Sequence, residues 1–431
     1  MRLKSVLLAA SALLVATPAN AATYAIQAGR LIVDAGKPAR GPSTVIVTDG
    51  RITAIQDGAT APAGAEVVDM RSKTVMPGLI DVHVHLTGNA GVPWYQSLTP
   101  KYSQSYATAL GLNNALVMAR AGFTTVRDLG SGPEGGLAVR NAMRDGLFPG
   151  PRIQVSGTSL SIVGGHGDAS VGFNPELAKA IDDAGQIGVC TGVEECARKV
   201  RLIAATGVDV IKFHATGGVL DPGEAGLEQH FSDAEMKSII DTAHSLKLKT
   251  AAHAHGAGGI LAAVRAGVDS IEHGTFLDAA GVREMKVRGT YYSATLMAFS
   301  GLQSYIGKGI FTPSSEAKGR QTLAVWGRGL NMAYKGGVKI ALGTDSGVAP
   351  HSRAAEEVGL MVSKGGMTPR DALVAATKGG AEALGLASET GTLDVGKSAD
   401  LIAVDGDPLV DPAAVMRIGY VMVMGKPVAL K

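Results

Sequence analysis

From residue 74 to 347 the chain alternates between short β-rich apolar runs that end in polar residues or glycine and stretches with helical spacing. The runs are residues 74–86, 123–130, 152–161, 208–218, 248–256, 269–275, 290–297 and 338–347. Helical patterns lie between them, as at 234–246 and 259–266. Eight strands alternating with helices imply parallel pairing, and closing the set on itself gives a (β/α)8 TIM barrel in an α/β protein. A doubly wound open sheet also alternates, but eight units over this length favour the barrel.

The flanks carry a different pattern. Residues 24–28, 44–47, 52–55 and 67–69 are short β-like runs, and so are 401–404 and 420–424. Gly50, Gly391, Gly396 and Gly425 punctuate them as turns. Two β segments at opposite ends of the chain are expected to pair into one small β-sandwich. The division is then 22–73 and 392–431 for the sandwich, 74–367 for the barrel and 368–391 for a helical connection. That connection has a clear start, with Thr368 as N-cap, Pro369 first in the helix and Asp371 third.

The first 21 residues read as an export signal. Arg2 and Lys4 precede an apolar run at 6–15 that is too short to span a bilayer, and Ala19-Asn20-Ala21 supplies small residues for cleavage after Ala21. With no cysteine near that point and no later apolar run of sufficient length, no membrane anchor is expected, and the location is periplasmic or secreted. Cleavage removes Arg2 and Lys4, so Lys+Arg falls from 40 to 38 against 38 Asp+Glu. A neutral chain with no basic block excludes nucleic acid as a partner. In an oxidising compartment Cys190 and Cys196 can pair; two buried thiols are the alternative.

Polar residues cluster where the barrel runs end, the place such barrels keep their active sites. The first run ends Asp81-Val82-His83-Val84-His85. Residues two apart share a strand face, so His83 and His85 aim together at the barrel mouth and can hold one divalent ion. Alone, this pair also fits two polar histidines on a half-exposed strand. Four further runs change that: one ends in Lys212 and His214, one in His253 and His255, one in Glu272-His273-Gly274 and one in Thr344-Asp345. A lysine within an apolar strand is costly if charged and unpaired, and more so beside two dications. Carboxylation by CO2 removes both difficulties, because the carbamate is an anion with two oxygens that can bridge two metals. A snorkelling lysine or an ion pair with Asp209 is the alternative.

The run 77–85 (PGLIDVHVH), with 122–130 (GFTTVRDLG), 211–219 (IKFHATGGV), 270–275 (SIEHGT), 343–346 (GTDS) and 391–408 (GTLDVGKSADLIAVDGDP), resembles the amidohydrolase superfamily. The branch it is most similar to comprises dipeptidases that release a C-terminal amino acid, of Xaa-Pro and Xaa-Arg type, and ochratoxin-hydrolysing amidohydrolases. The resemblance implies two zinc ions per chain. His83, His85 and Asp345 would hold the more buried ion, His253 and His273 the second, and a CO2-derived carbamate on Lys212 would bridge them. It further implies a metal-bridging hydroxide as nucleophile, Asp345 as the group that takes and returns the proton, His255 as donor to the developing oxyanion, and a homo-oligomer as large as an octamer. Two dications with a carbamate, a carboxylate and a hydroxide retain a charge of about +1, which suits a substrate with a carboxylate. The expected reaction is therefore cleavage of a dipeptide or N-acyl amino acid, with ochratoxin A as a test compound. A cyclic amide or lactone hydrolase of the imidazolonepropionase-like type is the rival, and Lys212 argues against it. A non-catalytic scaffold on the same fold is a second rival, against which the intact ligand set counts.

Other residues are assigned on weaker grounds. His166, in a glycine-rich turn, and Arg353, after the eighth run, are candidate substrate contacts, and His351 is placed with Arg353 at the rim. His214 is expected to point away from Lys212, and Arg127 and Asp128 to pair with each other. The loop 87–107, with Trp94, Tyr95, Tyr102 and Tyr106, is a lid or ordinary packing.

Overall fold

The computed structural model describes residues 22–90, 92, 99–183, 185–222 and 226–431. Residues 1–21, expected to be an export signal, and Trp94 and Tyr95 lie outside the described residues. Four strands open the chain: β1 (Thr23–Leu31), β2 (Ser43–Thr48), β3 (Arg51–Asp57) and β4 (Glu66–Pro77). The barrel strands follow: β5 (Leu79–Val84), β6 (Phe123–Asp128), β7 (Arg152–Val155), β8 (Val210–His214), β9 (Lys249–Ala254), β10 (Ser270–His273), β11 (Tyr291–Ser293) and β12 (Lys339–Ile340). β13 (Leu401–Val404), β14 (Ile418–Val423) and β15 (Lys426–Pro427) close the chain.

The two chain ends build one seven-stranded sheet in the order β15-β14-β13-β4-β1-β2-β3. Its core takes Ile26, Leu31, Val45, Val47 and Ile52 from one end and Leu393, Leu401, Ala403 and Met422 from the other. Each end supplies the apolar surface that buries the other, which explains why strands so far apart in sequence pair. The run 74–86 is divided: residues 74–77 finish β4, and the barrel begins only at β5. Gly78 is the pivot, because a side-chain carbon there would overlap Thr124.

The barrel strands pair in parallel as two ladders, β5-β6-β7 and β8-β9-β10-β11-β12. Two seams close them into a ring. Leu160 bridges to Phe213, and Val84 bridges to Ser346. Every residue of β5, β6, β8 and β10 is buried. That two-sided burial is why these strands read as near-continuous apolar runs.

Thr368 caps its helix by accepting from the Asp371 N–H, with Pro369 first, but the helix stops at Val374 and passes through a π turn, Ala375–Gly379. Cys190 and Cys196 form a disulfide just ahead of and into the helix Val193–Ala205. Tyr106 is not in a loop: it sits on the helix Gln104–Arg120, its ring edge-on to Tyr102. Among the described residues no helix is long and apolar enough to cross a membrane.

Candidate metal centre and active site

Two groups of ligand-bearing side chains face each other at the barrel mouth. His83, His85 and Asp345 form one and His253, His255 and His273 the other, with the ligand atoms of each group within 4.8 Å of one another. The rings of His83 and His273 lie 5.0 Å apart, so the groups adjoin. Lys212 joins them in lining one cavity of about 270 Å3 and is 2% exposed.

Local backbone geometry makes this convergence possible. Period two on β5 turns Asp81, His83 and His85 to one face. Asp81 accepts from the Thr344 N–H (3.1 Å) and hydroxyl (2.6 Å), which ties the end of the eighth barrel segment to β5. Asp345 then turns inward with a left-handed φ of 57°, its N–H donating to the His83 carbonyl (2.8 Å). On β10 alternation would send Glu272 and His273 to opposite faces. A left-handed φ of 69° at His273 swings its ring inward as well. The Tyr292 hydroxyl donates to the His273 (2.9 Å) and Gly274 (3.2 Å) carbonyls and braces that turn. Non-glycine residues in this region carry strain and concentrate at functional sites.

The outer nitrogens of four rings are spoken for, whereas His253 has its Nε2 3.4 Å from the Gly217 carbonyl. Nδ1 of His83 lies 3.0 Å from Glu272 Oε2, that of His85 2.9 Å from the Gly130 carbonyl, that of His255 2.7 Å from Thr275 Oγ1, and that of His273 2.7 Å from Thr295 Oγ1. Nδ1 partners of this kind orient a histidine so that Nε2 is left for a metal. His83 supplies the test of fit: its Nε2 is buried and has no hydrogen-bond partner. A cation between these groups would satisfy that orphaned nitrogen, and the donor set of imidazoles and one carboxylate suits a binuclear metal centre.

The electrostatics point the same way. Burial, helped by the Lys212 charge, pushes His83 down to about 4. Burial and the His166 charge push His255 to about 3, and burial carries His253 and His273 well below the usual range. Neutral imidazoles have no proton to lose before binding a cation. Burial raises Asp345, but its hydrogen bond to His85 and the charges of His83, His85 and Lys212 outweigh this and keep it a carboxylate. Burial also lowers Lys212 to about 8, against the opposing pull of Glu272 and Asp345.

His166 is placed in the cavity, its ring 4.2 Å from that of His253 and its Nδ1 2.5 Å from Asp221 Oδ1. Several expectations need correction. Arg353 is not at the site: it pairs with Glu356 (2.6 Å) and lines a separate cleft with Val117 and Arg120. His351 lies behind the site, not at its rim, buried with Nε2 3.2 Å from the His85 carbonyl. His214 shares the Lys212 face, as period two requires, and its ring is 4.6 Å from His166. Arg127 and Asp128 do not pair. Arg127 binds Glu272 (2.7 Å), while Asp128 accepts from the Ser131 hydroxyl. Asp209 is bound to Arg140 (2.8 Å), so it is not a partner for Lys212.

A family model described as the amidohydrolase family matches residues 74–428. The chain belongs to that family. It is 33% identical to ochratoxinase of Aspergillus niger over 424 residues, covering 93% of this chain and 84% of that protein. Among solved structures it is similar to a Xaa-Pro dipeptidase with methionine bound in the active site (TM-score 0.88, 32% identity, 94% of this chain and 99% of that one). It is also similar to a prolidase complexed with N-methylphosphonate-L-proline (TM-score 0.85, 30% identity, 94% and 99%). This amidohydrolase is accordingly a hydrolase acting on C–N bonds.

The sequence reading missed Glu272, Asp221, Thr275 and Thr295 as partners of the site histidines. Asp81 was within reach, since it stands two residues from His83 on the same strand. Glu272 was not, because only the left-handed turn at His273 brings it and its neighbour inward together.

Proposed function

We propose that this amidohydrolase cleaves the amide bond of N-acyl amino acids and dipeptides and releases the C-terminal amino acid. One observation carries the reading: two adjoining three-ligand groups and a buried, unpaired lysine line one cavity. That cavity opens into an apolar chamber. Leu220, Leu302 and Val348 line both, and the chamber, of about 470 Å3, adds Phe173, Tyr305, Ile310 and Phe311. The Thr312 and Ser315 hydroxyls are occupied, by the Pro222 and Asp221 carbonyls. The chamber suits a bulky apolar group, and ochratoxin A, an aromatic acyl group on phenylalanine, has that character.

Lys212 has no hydrogen bond or ion pair to its amine among the described residues, and with a pKa lowered to about 8 a fraction is neutral and able to add CO2. In our reading a carbamate on Lys212, with His83, His85, His253, His273 and Asp345, would hold two zinc ions. Zinc bound there would polarise the scissile carbonyl and lower the pKa of water. Asp345 accepts the proton from water and passes it to the departing amine. A threonine hydroxyl can accept from or donate to Nδ1; in our reading Thr295 accepts at His273 and Thr275 donates at His255, so His255, unlike the metal ligands, would carry its proton on Nε2 and face the developing oxyanion. His166, fixed by Asp221, meets the substrate carboxylate. We further propose that the protein works outside the cytoplasm after loss of residues 1–21, as a homo-oligomer; the Cys190–Cys196 disulfide supports the compartment.

The test is metal analysis on chelator-free protein together with a screen of N-acyl amino acids, ochratoxin A and dipeptides, each against its C-terminal amide. Two metals per chain and a several-fold or greater loss of kcat/KM on capping are expected, since capping leaves the carboxylate's donors unpaired. Equal rates for free and capped substrates would refute carboxylate recognition, and one metal or none in active enzyme would refute the binuclear centre.

A further inference from the structure

Glu357 carries a buried carboxyl group outside the chemistry assigned above. It is 1% exposed and lies on the helix Glu356–Ser363, and its two oxygens accept from the N–H groups of Leu296 (2.9 Å) and Met297 (2.7 Å). Those are the first two residues of the helix Leu296–Tyr305, whose Ala298, Phe299 and Leu302 wall the metal cavity. A threonine at the N-cap ordinarily accepts with its own hydroxyl from the second or third N–H of the helix, and Met297 is the second. Thr295 occupies that position and makes no capping hydrogen bond. Its hydroxyl lies 2.7 Å from His273 Nδ1 instead. To reach there it takes a φ of 48°, a conformation that β-branched residues rarely adopt. Two facts that look unrelated, a helix capped from a distant helix and a strained threonine beside a metal-type histidine, are therefore one arrangement. The cap is supplied from outside, and the N-cap hydroxyl is released to a histidine.

We propose that Glu357 is a positioning residue for the His253–His255–His273 half of the centre, acting through Thr295: by taking over the helix cap it holds Thr295 in its left-handed conformation, where the hydroxyl fixes the His273 ring with Nε2 toward the cavity. The inference rests on the metal-centre reading of the preceding subsection. It concerns residues that touch neither substrate nor metal, so its signature is selective. Loosening the cap weakens one metal and spares the other.

Glu357→Gln offers one oxygen to two N–H groups and sets an NH2 against the other. In chelator competition on zinc-loaded protein, this variant should lose one of its two metals with an affinity reduced roughly 10-fold or more, the range for losing an outer partner of a ligand. The second metal should stay at wild-type affinity, and the Leu296 and Met297 amides should exchange faster with deuterium. Thr295→Val should lose the same metal while those amides stay protected, and Thr295→Ser should restore it. Because the two residues act in series, the double variant Glu357→Gln/Thr295→Val should be no worse than the weaker single variant. If Glu357→Gln does not fold, Glu357→Asp keeps the carboxyl group and both oxygens but is one methylene short, and a smaller loss of the same metal is expected. Wild-type affinity for both metals in a folded Glu357 variant overturns the proposal, and so does a double variant whose losses multiply. Wild-type protein with fewer than two metals would instead count against the binuclear reading, so the two failures are distinguishable.

Discussion

Glu272→Gln isolates the most consequential contact behind the metal-type histidines. In the wild type, Oε1 accepts from Arg127 Nη2 (2.7 Å) and the Ser270 hydroxyl (2.6 Å), while Oε2 meets His83 Nδ1 (3.0 Å). All of this is buried, with Glu272 at 0% exposure and Arg127 at 1%. Burial raises Glu272, but the Arg127 guanidinium, the His83 hydrogen bond and the His83 and Lys212 charges together outweigh it and lower it to about 2, so it is an anion. A glutamine has one oxygen for these three donors. The charged guanidinium and the hydroxyl claim it, since charge-assisted bonds are the stronger. The amide NH2 then points at His83 Nδ1, which must become an acceptor, and the ring proton moves to Nε2, the nitrogen left without a partner. A protonated Nε2 cannot receive a cation. Losing an outer partner of this kind weakens metal affinity roughly 10–100-fold, or about 1.4–2.8 kcal/mol. Leaving Arg127 without its counter-charge adds a fold penalty of about 3–5 kcal/mol. Chelator competition reads the first quantity and thermal melting of the metal-free protein the second. A folded Glu272→Gln variant that binds both metals within about two-fold of wild type would falsify the claim that this contact sets the His83 tautomer.

Lys212→Ala should lose both metals and turnover, with partial recovery in added bicarbonate or a short carboxylic acid; wild-type kcat in this variant would make the lysine merely structural. Asp345→Asn keeps an oxygen ligand but removes the base, so some metal should remain while kcat falls by about 10²-fold or more, and a near-normal kcat would reassign the proton transfer. Stability of the chelated protein should depend on pH in a definite direction. His83 and His255 sit at about 4 and about 3 when folded, against roughly 6.5 unfolded. Between those values unfolding protonates these rings, and His253, His273 and His351 with them; Asp81 and Glu357, raised by burial to about 7 and about 8, pull the other way but are fewer, so melting temperature should fall as pH drops from about 6.5 toward 4. A melting temperature that is flat across that window would show that these rings are not held neutral by burial.

The barrel was legible because parallel strands buried on both faces are written as short apolar runs, and their polar endings mark the mouth. His83, His85, Lys212, His253, His273 and Asp345 all stand at such endings, and the structure brings them to one cavity. What was illegible depends on geometry that periodicity does not encode. A left-handed residue breaks alternation at His273 and Asp345, so Glu272 and the Thr344 contacts fell outside the pattern. Arg353 was misplaced for a related reason. It follows the eighth barrel segment closely in sequence, but the short helix His351–Arg353 turns it toward Glu356. Asp221 and Thr295 reach their histidines from loops, and no spacing rule ties a loop residue to a ring on another strand.

The seven-stranded sheet has a consequence for the life of the chain before it is finished. β4 lies between β1 and β13, and its residues 74–77 pair with Leu401–Val404. As the polypeptide emerges from the ribosome, β1 to β4 can assemble early, but the β13 side of β4 stays bare until Leu401–Val404 have appeared. An unpaired strand edge of that kind invites pairing with a neighbouring chain. The nascent protein is thus exposed to aggregation through β4 while the whole barrel is being made, and the strands that follow the barrel end the hazard. Losing a few dozen residues from the C-terminus would leave that edge open permanently, although every barrel strand and every residue of the metal centre would still be present.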